Sequence, residues 1–241
     1  MLSNSRKIAL VTGGAKRIGK SLCEFLAQEG WHVVIHYNQS RKNAEEFVSS
    51  NSSIIGLEQC DFAKQDELSI FAQQIFEKYG KIDLLINNAS AFINDDLENL
   101  NKDIWNLNLT VNSYAPLLLI KYFAAQKHFS ESAPGRVINM LDDTLPLSSE
   151  KFTSYTLSNN LLKQITKITA QQFAPLVLIN GIALGTTLKS PNQSDQHFEN
   201  MIAQTLLKRP ISIEDLLQML LLLINSRSMT GQIIKLSSEV T

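Results

Sequence analysis

Two cysteines, Cys23 and Cys60, occur in 241 residues, and neither belongs to a Cys-x-x-Cys pair. That is too few for a disulfide framework, and both lie in apolar or strand-like contexts that bury a free thiol. Charge of one sign is equally scarce. The 22 basic and 23 acidic residues leave a formal net charge of −1, so no basic surplus points to nucleic acid or anionic lipid. Long hydrophobic runs are missing too. The longest, Leu216–Ile224, is broken by Gln218 and falls well short of the ~20 residues that span a bilayer. Met1–Arg6 is short and polar, without an apolar leader, so a cytoplasmic location is expected. The histidines His32, His36, His128 and His197 show no metal-ligand spacing, and no metal is expected.

What is present is alternation. Lys7–Thr12, Trp31–Tyr37, Ile54–Gln59, Ile82–Asn87, Gly135–Met140, Leu176–Ala183 and Gly231–Leu236 read as strands. Most are near-continuously apolar, as strands buried on both faces of a parallel sheet must be. Helix-length stretches lie between them, among them Lys20–Glu29, Gln65–Tyr79, Leu107–His128 and Tyr155–Phe173. Seven strands with about six helices predict an α/β fold, one doubly wound parallel sheet with helices on both faces. No linker or repeat divides the chain, so residues 1–241 form one domain. Thr186–Gln196 is irregular and leads into a short helix up to Lys208; segments of this kind are commonly lids, so 186–208 is the expected substrate flap. Ser212 to Asp215 has capping-box spacing and opens a helix to Ile224.

The first strand ends in Thr12-Gly13-Gly14-Ala15-Lys16-Arg17-Ile18-Gly19 and runs into a helix. Gly13 suits a tight turn, and Gly19 lets the helix pack close to the strand. The helix N-terminus then presents free N–H groups and the positive end of its dipole to a pyrophosphate. Strand, Gly-rich turn and helix in this order are the signature of a Rossmann-type dinucleotide site. The end of the second strand reads His36-Tyr37-Asn38-Gln39-Ser40-Arg41, without the acid that accepts from a ribose 2′-hydroxyl. Arg17, Ser40 and Arg41 are the candidates to meet a 2′-phosphate, so NADP(H) is preferred over NAD(H).

With Asp61 after the third strand, Asn87-Asn88-Ala89-Ser90 after the fourth and Asn112 in the next helix, the chain resembles the short-chain dehydrogenase/reductase family along nearly its whole length. The resemblance places Asp61 near the adenine and Asn88 and Ala89 along the cofactor, with Gly13, Ile18, Gly19, Tyr37, Asn38 and Ser40 completing that site. Arg17 together with Ser90-Ala91-Phe92 narrows it to the pteridine and dihydromonapterin reductases. There, a Phe at the place of Phe92 stacks one pterin face while the nicotinamide covers the other. Arg17 and Ser90 then contact pterin and cofactor phosphates.

Family catalysis uses a Tyr acid and a Lys four residues later, which the resemblance maps to Tyr155 and position 159, with Asn112 in support. The third member, usually Ser, maps to Asp142, and Asp there marks the pteridine reductases. Position 159 holds asparagine, which hydrogen-bonds a ribose but carries no charge. Without a cation, Tyr155 is expected to stay near its ordinary pKa of about 10. Lys163, one turn on, is a candidate to reach back; Leu184 replaces a usual Pro, and Leu236-Ser237-Ser238-Glu239 replaces a usual Asp-Gly-Gly. Asp143 has no role legible in sequence, and Asp95-Asp96 reads as a solvated loop. Three functions stay open: an NADPH-dependent dihydropterin reductase impaired by Asn159, an NADP(H)-binding pseudoenzyme, or a reductase of a non-pterin carbonyl substrate. Leu107–His128 and Tyr155–Phe173 pair across subunits in the family, which implies a homo-dimer or homo-tetramer.

Overall fold

A computed structural model describes residues 6–144, 151–190 and 193–238. Met1–Ser5, Pro191 and Asn192 of the expected flap, and Glu239 lie outside the described residues. Seven parallel strands form one sheet in the order β3-β2-β1-β4-β5-β6-β7. They are β1 Ile8–Val11, β2 His32–Tyr37, β3 Ile54–Gln59, β4 Leu84–Asn87, β5 Gly135–Asp142, β6 Val177–Leu184 and β7 Ile233–Leu236. The helices are α1 Arg17–Gln28, α2 Arg41–Ser50, α3 Gln65–Tyr79, α4 Lys102–Leu109, α5 Ala115–Ala124, α6 Thr153–Phe173, α7 Asp195–Gln204 and α8 Ile213–Asn225.

Alternation along each strand feeds two cores. In β1, Leu10 joins a cluster with Leu68, Leu119 and Leu162 of α3, α5 and α6. Ala9 and Val11 point the other way, toward Leu22, Phe47 and Leu220 of α1, α2 and α8. Each fully buried Leu contributes about 1.5–3 kcal/mol, and the asparagines that the middle strands bury, Asn87, Asn139 and Asn180, are hydrogen-bonded. Both cysteines are buried in these cores. Among the described residues no helix is long and apolar enough to cross a membrane.

The expected helix Leu107–His128 is two helices joined by a π-helical turn, Thr110–Tyr114. It begins early because the Asn101 side chain accepts from the Asp103 and Ile104 amides. Pro116, lacking an N–H, deprives the Asn112 carbonyl of its α-helical donor and favours the wider turn. Helix α2 was not among the expected helices; only Ala44 and Phe47 of it are buried, too few for a clear period. β5 and β6 run to Asp142 and Leu184, further than their apolar runs, because they pair with each other along their full length. Ser212 accepts from the Asp215 amide, as its spacing predicts, with α8 starting at Ile213.

Candidate active site

The C-terminal strand ends carry the site. Gly13 follows β1, Tyr37 ends β2, Asp61 follows β3, Asn88 follows β4 and Asp142 ends β5. Strand order reverses between β1 and β4, where an open α/β sheet leaves a crevice. Two adjoining clefts lie there, sharing Gly13, Lys16, Ala89 and Ser90. The smaller, about 380 Å³, is bordered by Tyr37, Asn38, Ser40 and Asp61. The larger, about 1000 Å³, is bordered by Arg17, Ile18, Gly19, Asn88, Phe92, Asn112, Asp142, Tyr155 and Asn159. Of the residues singled out from the sequence for cofactor, substrate or catalysis, all but Arg41 and Lys163 border one cleft or the other.

Main chain shapes the glycine turn. Gly13 has φ +63°, and a Cβ there would meet the Ala89 Cα at 3.0 Å. A Cβ on Gly19 would overlap the Gly13 carbonyl oxygen. Beneath the turn sits His36, buried and stacked on Phe62 with ring centroids 4.0 Å apart. Its Nδ1 accepts from the Gly13 amide at 3.3 Å, which fixes the proton on Nε2 for donation to the Cys60 carbonyl at 3.0 Å. Burial lowers its pKa to about 4, so it stays neutral. Thr12 Oγ1 accepts from the Asn88 and Ala89 amides, and Asn88 Nδ2 donates to the Thr12 and Gly13 carbonyls. His36 and Thr12 were not among the residues expected at the site; a histidine inside an apolar strand was the available signal.

The basic residues separate. Lys16 borders both clefts. Arg17, with φ +52°, donates to the flap carbonyls of Leu188 (3.3 Å) and Lys189 (2.8 Å). Arg41 instead pairs with Glu45 along exposed α2.

Around Tyr155 the walls are side chains. Tyr155 Oη donates to Asp142 Oδ2 at 2.6 Å, and Asp142 Oδ1 accepts from the Thr144 amide and hydroxyl at 2.6 and 2.5 Å. Burial first, then the Asp142 carboxylate, pushes the Tyr155 phenol well above its ordinary range; hydrogen bonding to Ser90 and Asn159 opposes this only partly. The expectation of a phenol near its ordinary pKa is thus corrected upward, because burial disfavours the phenolate and the Asp142 carboxylate beside it adds to that effect. Asn159 Oδ1 accepts from the Asp142 amide at 3.2 Å, so the asparagine braces the end of β5. Lys163 does not reach back. It lies 4.0 Å from Asp143, whose carboxylate also takes Lys235 at 3.2 Å, which gives Asp143 the role that sequence left blank.

Phe92 is 50% exposed, stacks on Phe152 at 4.4 Å and meets the Tyr155 ring nearly perpendicularly at 4.6 Å. In the π-helical turn, Asn112 accepts from the Ala91 amide at 2.7 Å and donates to the Ala91 carbonyl and Ser158 Oγ. It thereby holds the Phe92 loop against α6. Asp95 is not solvated, contrary to expectation. It is 5% exposed and accepts the Ser154 amide at 3.0 Å, because α6 lacks a cap of its own. Among the described residues no group of three or more His, Cys, Asp or Glu is placed to hold a metal ion.

Comparison with known proteins agrees with this architecture. The chain is 32% identical to FolM alternative dihydrofolate reductase 1 from Brucella canis, whose crystal structure is complexed with NADP; the TM-score is 0.88, over 99% of this chain and 94% of that one. It is 28% identical to pteridine reductase 1 of Leishmania tarentolae over 229 residues, 77% of this chain and 78% of the relative. It is also 26% identical to the putative ketoacyl reductase 2 of granaticin polyketide synthase from Streptomyces violaceoruber, over 94% of this chain and 93% of that protein. Residues 7–201 match the short chain dehydrogenase model, and the chain belongs to that family of oxidoreductases.

Proposed function

We propose that this chain is an NADPH-dependent reductase of a dihydropterin. The bond from Tyr155 Oη to Asp142 Oδ2, beside the half-exposed ring of Phe92, carries the reading. In the cofactor site, the free amides of Ile18 and Gly19 at the α1 N-terminus hold the pyrophosphate, and Gly13 with Asn88 and Ala89 leaves the backbone approach open. Tyr37, Asn38 and Asp61 border the adenosine. No acid ends β2, and Lys16 and Ser40 on the smaller cleft meet the 2′-phosphate. Arg17, drawn into the larger cleft, serves the substrate side with Ser90.

The bound nicotinamide supplies the hydride. Phe92 offers the planar ring a stacking partner, and Tyr155 donates the proton that the reduced C=N nitrogen takes up. Its raised pKa keeps that proton in place at neutral pH. Thr144 holds one Asp142 oxygen, so the other faces the phenol and relays a replacement proton. Asn112 and Asn159 brace this pair.

NADPH oxidation by the purified protein with dihydrobiopterin and dihydromonapterin tests the reading. Turnover is expected, and none with any dihydropterin despite tight NADPH binding overturns it. Two observations favour a second reading, a nucleotide-binding pseudoenzyme: Asn159 Oδ1 is taken by the Asp142 amide, and Lys163 lies against Asp143. On that reading the wild type is inactive and Asn159→Lys gains activity from zero. A carbonyl substrate is favoured by the ketoacyl reductase likeness and opposed by a carboxylate where a hydroxyl serves carbonyl reduction. Exposed Tyr114, Leu117, Leu157, Leu161 and Ile168 on and beside α5 and α6 favour a homo-dimer or homo-tetramer, which sedimentation measures.

A further inference from the structure

α6 carries Tyr155 at its third residue, yet nothing in its own first turn caps it. Phe152 precedes it in a left-handed conformation (φ 61°), and the first turn holds no acid. Elsewhere Asn101, Ser194 and Ser212 cap their own helices from within three residues. α6 is served from 59 positions away: Asp95 Oδ1 accepts the Ser154 amide at 3.0 Å, and the Asp95 carbonyl accepts the Thr153 amide at 3.2 Å. Both are N-terminal amides with no partner inside the helix. Beside them, Asn108 Nδ2 donates to Ser154 Oγ at 2.7 Å and to the Ile93 carbonyl at 3.3 Å.

These bonds run between two pieces of the proposed site. One is the loop Phe92–Asp95, which carries the stacking ring. The other is the start of α6, which carries the proton donor and Phe152. Asp95 is 5% exposed, and its Oδ2 has no hydrogen-bond partner among the described residues. A neutral cap would avoid burying that second oxygen, so the carboxylate is a costly choice for the helix alone, offset by the helix dipole.

We propose that Asp95 is a positioning residue: by capping α6 from the Phe92 loop, it sets the distance between the ring that stacks substrate and the phenol that protonates it. The proposal rests on the dihydropterin reading. Asp95 touches neither substrate nor cofactor and acts through Ser154 and the loop backbone.

The test is Asp95→Ala against Asp95→Asn, which keeps an oxygen at the same place. A displacement of ~1 Å at a reacting centre costs on the order of 10²-fold, so Asp95→Ala should lose roughly 10- to 100-fold in kcat/KM for dihydropterin. NADPH affinity should stay within about twofold, because the glycine turn lies outside the clamp, and Asp95→Asn should recover most of the loss. Amide exchange at 153–155 should accelerate in Asp95→Ala alone. Unchanged kcat and KM in Asp95→Ala, with that protection lost, would reduce Asp95 to a helix cap and overturn the proposal. Equal losses in both variants would overturn it as well, since charge and not capping would then matter. If Asp95→Ala does not fold, Asn108→Ser severs the second tie and is expected to show the same selective loss; normal kinetics there would overturn the proposal. A wild type without dihydropterin turnover sinks the dihydropterin reading instead. Exchange at 153–155 then judges the clamp, and equal protection in wild type and Asp95→Ala overturns it.

Discussion

At the glycine turn the cleft wall is main chain, whereas around Tyr155 it is side chains gathered from β5, α6, the π-helical turn and the Phe92 loop. The first region is specified by what cannot be present: a Cβ at Gly19, an acid at the end of β2. The second is specified by mutual restraint, with Thr144 holding Asp142, Asp142 and Asn159 holding each other's segments, and Asn112 and Asp95 holding the loop. A site cut by backbone survives changes in surrounding side chains. A site built from side chains closes around the members it has, here Asn159 on the Asp142 amide.

The comparison breaks most sharply at Tyr155. Tyr155→Phe should lower kcat for dihydropterin by about 10²–10⁴-fold while NADPH affinity, read by fluorescence titration, stays unchanged. Gly19→Ala should do the reverse. Its methyl overlaps the Gly13 carbonyl, and overpacking of ~3 kcal/mol weakens NADPH binding about 100-fold. If instead Gly19→Ala lowers kcat at saturating NADPH, the two regions are not separable.

His36 sharpens the contrast from beneath the turn. Its folded pKa, about 4, lies below its ordinary 6.5, so the folded state resists protonation that the unfolded chain accepts. The stability it contributes is full above pH 6.5 and lost as pH falls toward 4, about 3 kcal/mol in all. Denaturant midpoints at pH 7 and 4.5 should show that loss in the wild type and a smaller one in His36→Phe. Arg17→Ala is the mildest: it frees the flap at Leu188 and Lys189 and should raise dihydropterin KM several-fold, with kcat little changed, in steady-state assays.

What the sequence made legible follows the same division. Strands such as β1 were readable to within a residue at each end because burial leaves a continuous apolar run. The glycine turn was readable because steric exclusion leaves few residue choices. Resemblance singles out Asp142, Phe92 and Tyr155, which the structure places on one cleft, but their contacts were not legible. The break at Asn112 depends on Pro116 four residues on, a local signal masked by the apolar run around it. Asp95 gave none, since capping a helix 59 positions away is a property of the fold. The same holds for Lys163: helical spacing brought it near Asn159, and the packing of Asp143 decided where its ammonium went.

The most direct test of the central claim, that Asp142 and Tyr155 form a proton-donating pair for a pterin, is kcat/KM for dihydromonapterin and for an oxoacyl thioester, in wild type and Asp142→Ser. The account predicts that the wild type prefers the dihydropterin by at least about tenfold and that the serine variant loses this preference. A wild type that prefers the thioester, or a preference that Asp142→Ser leaves intact, would contradict it.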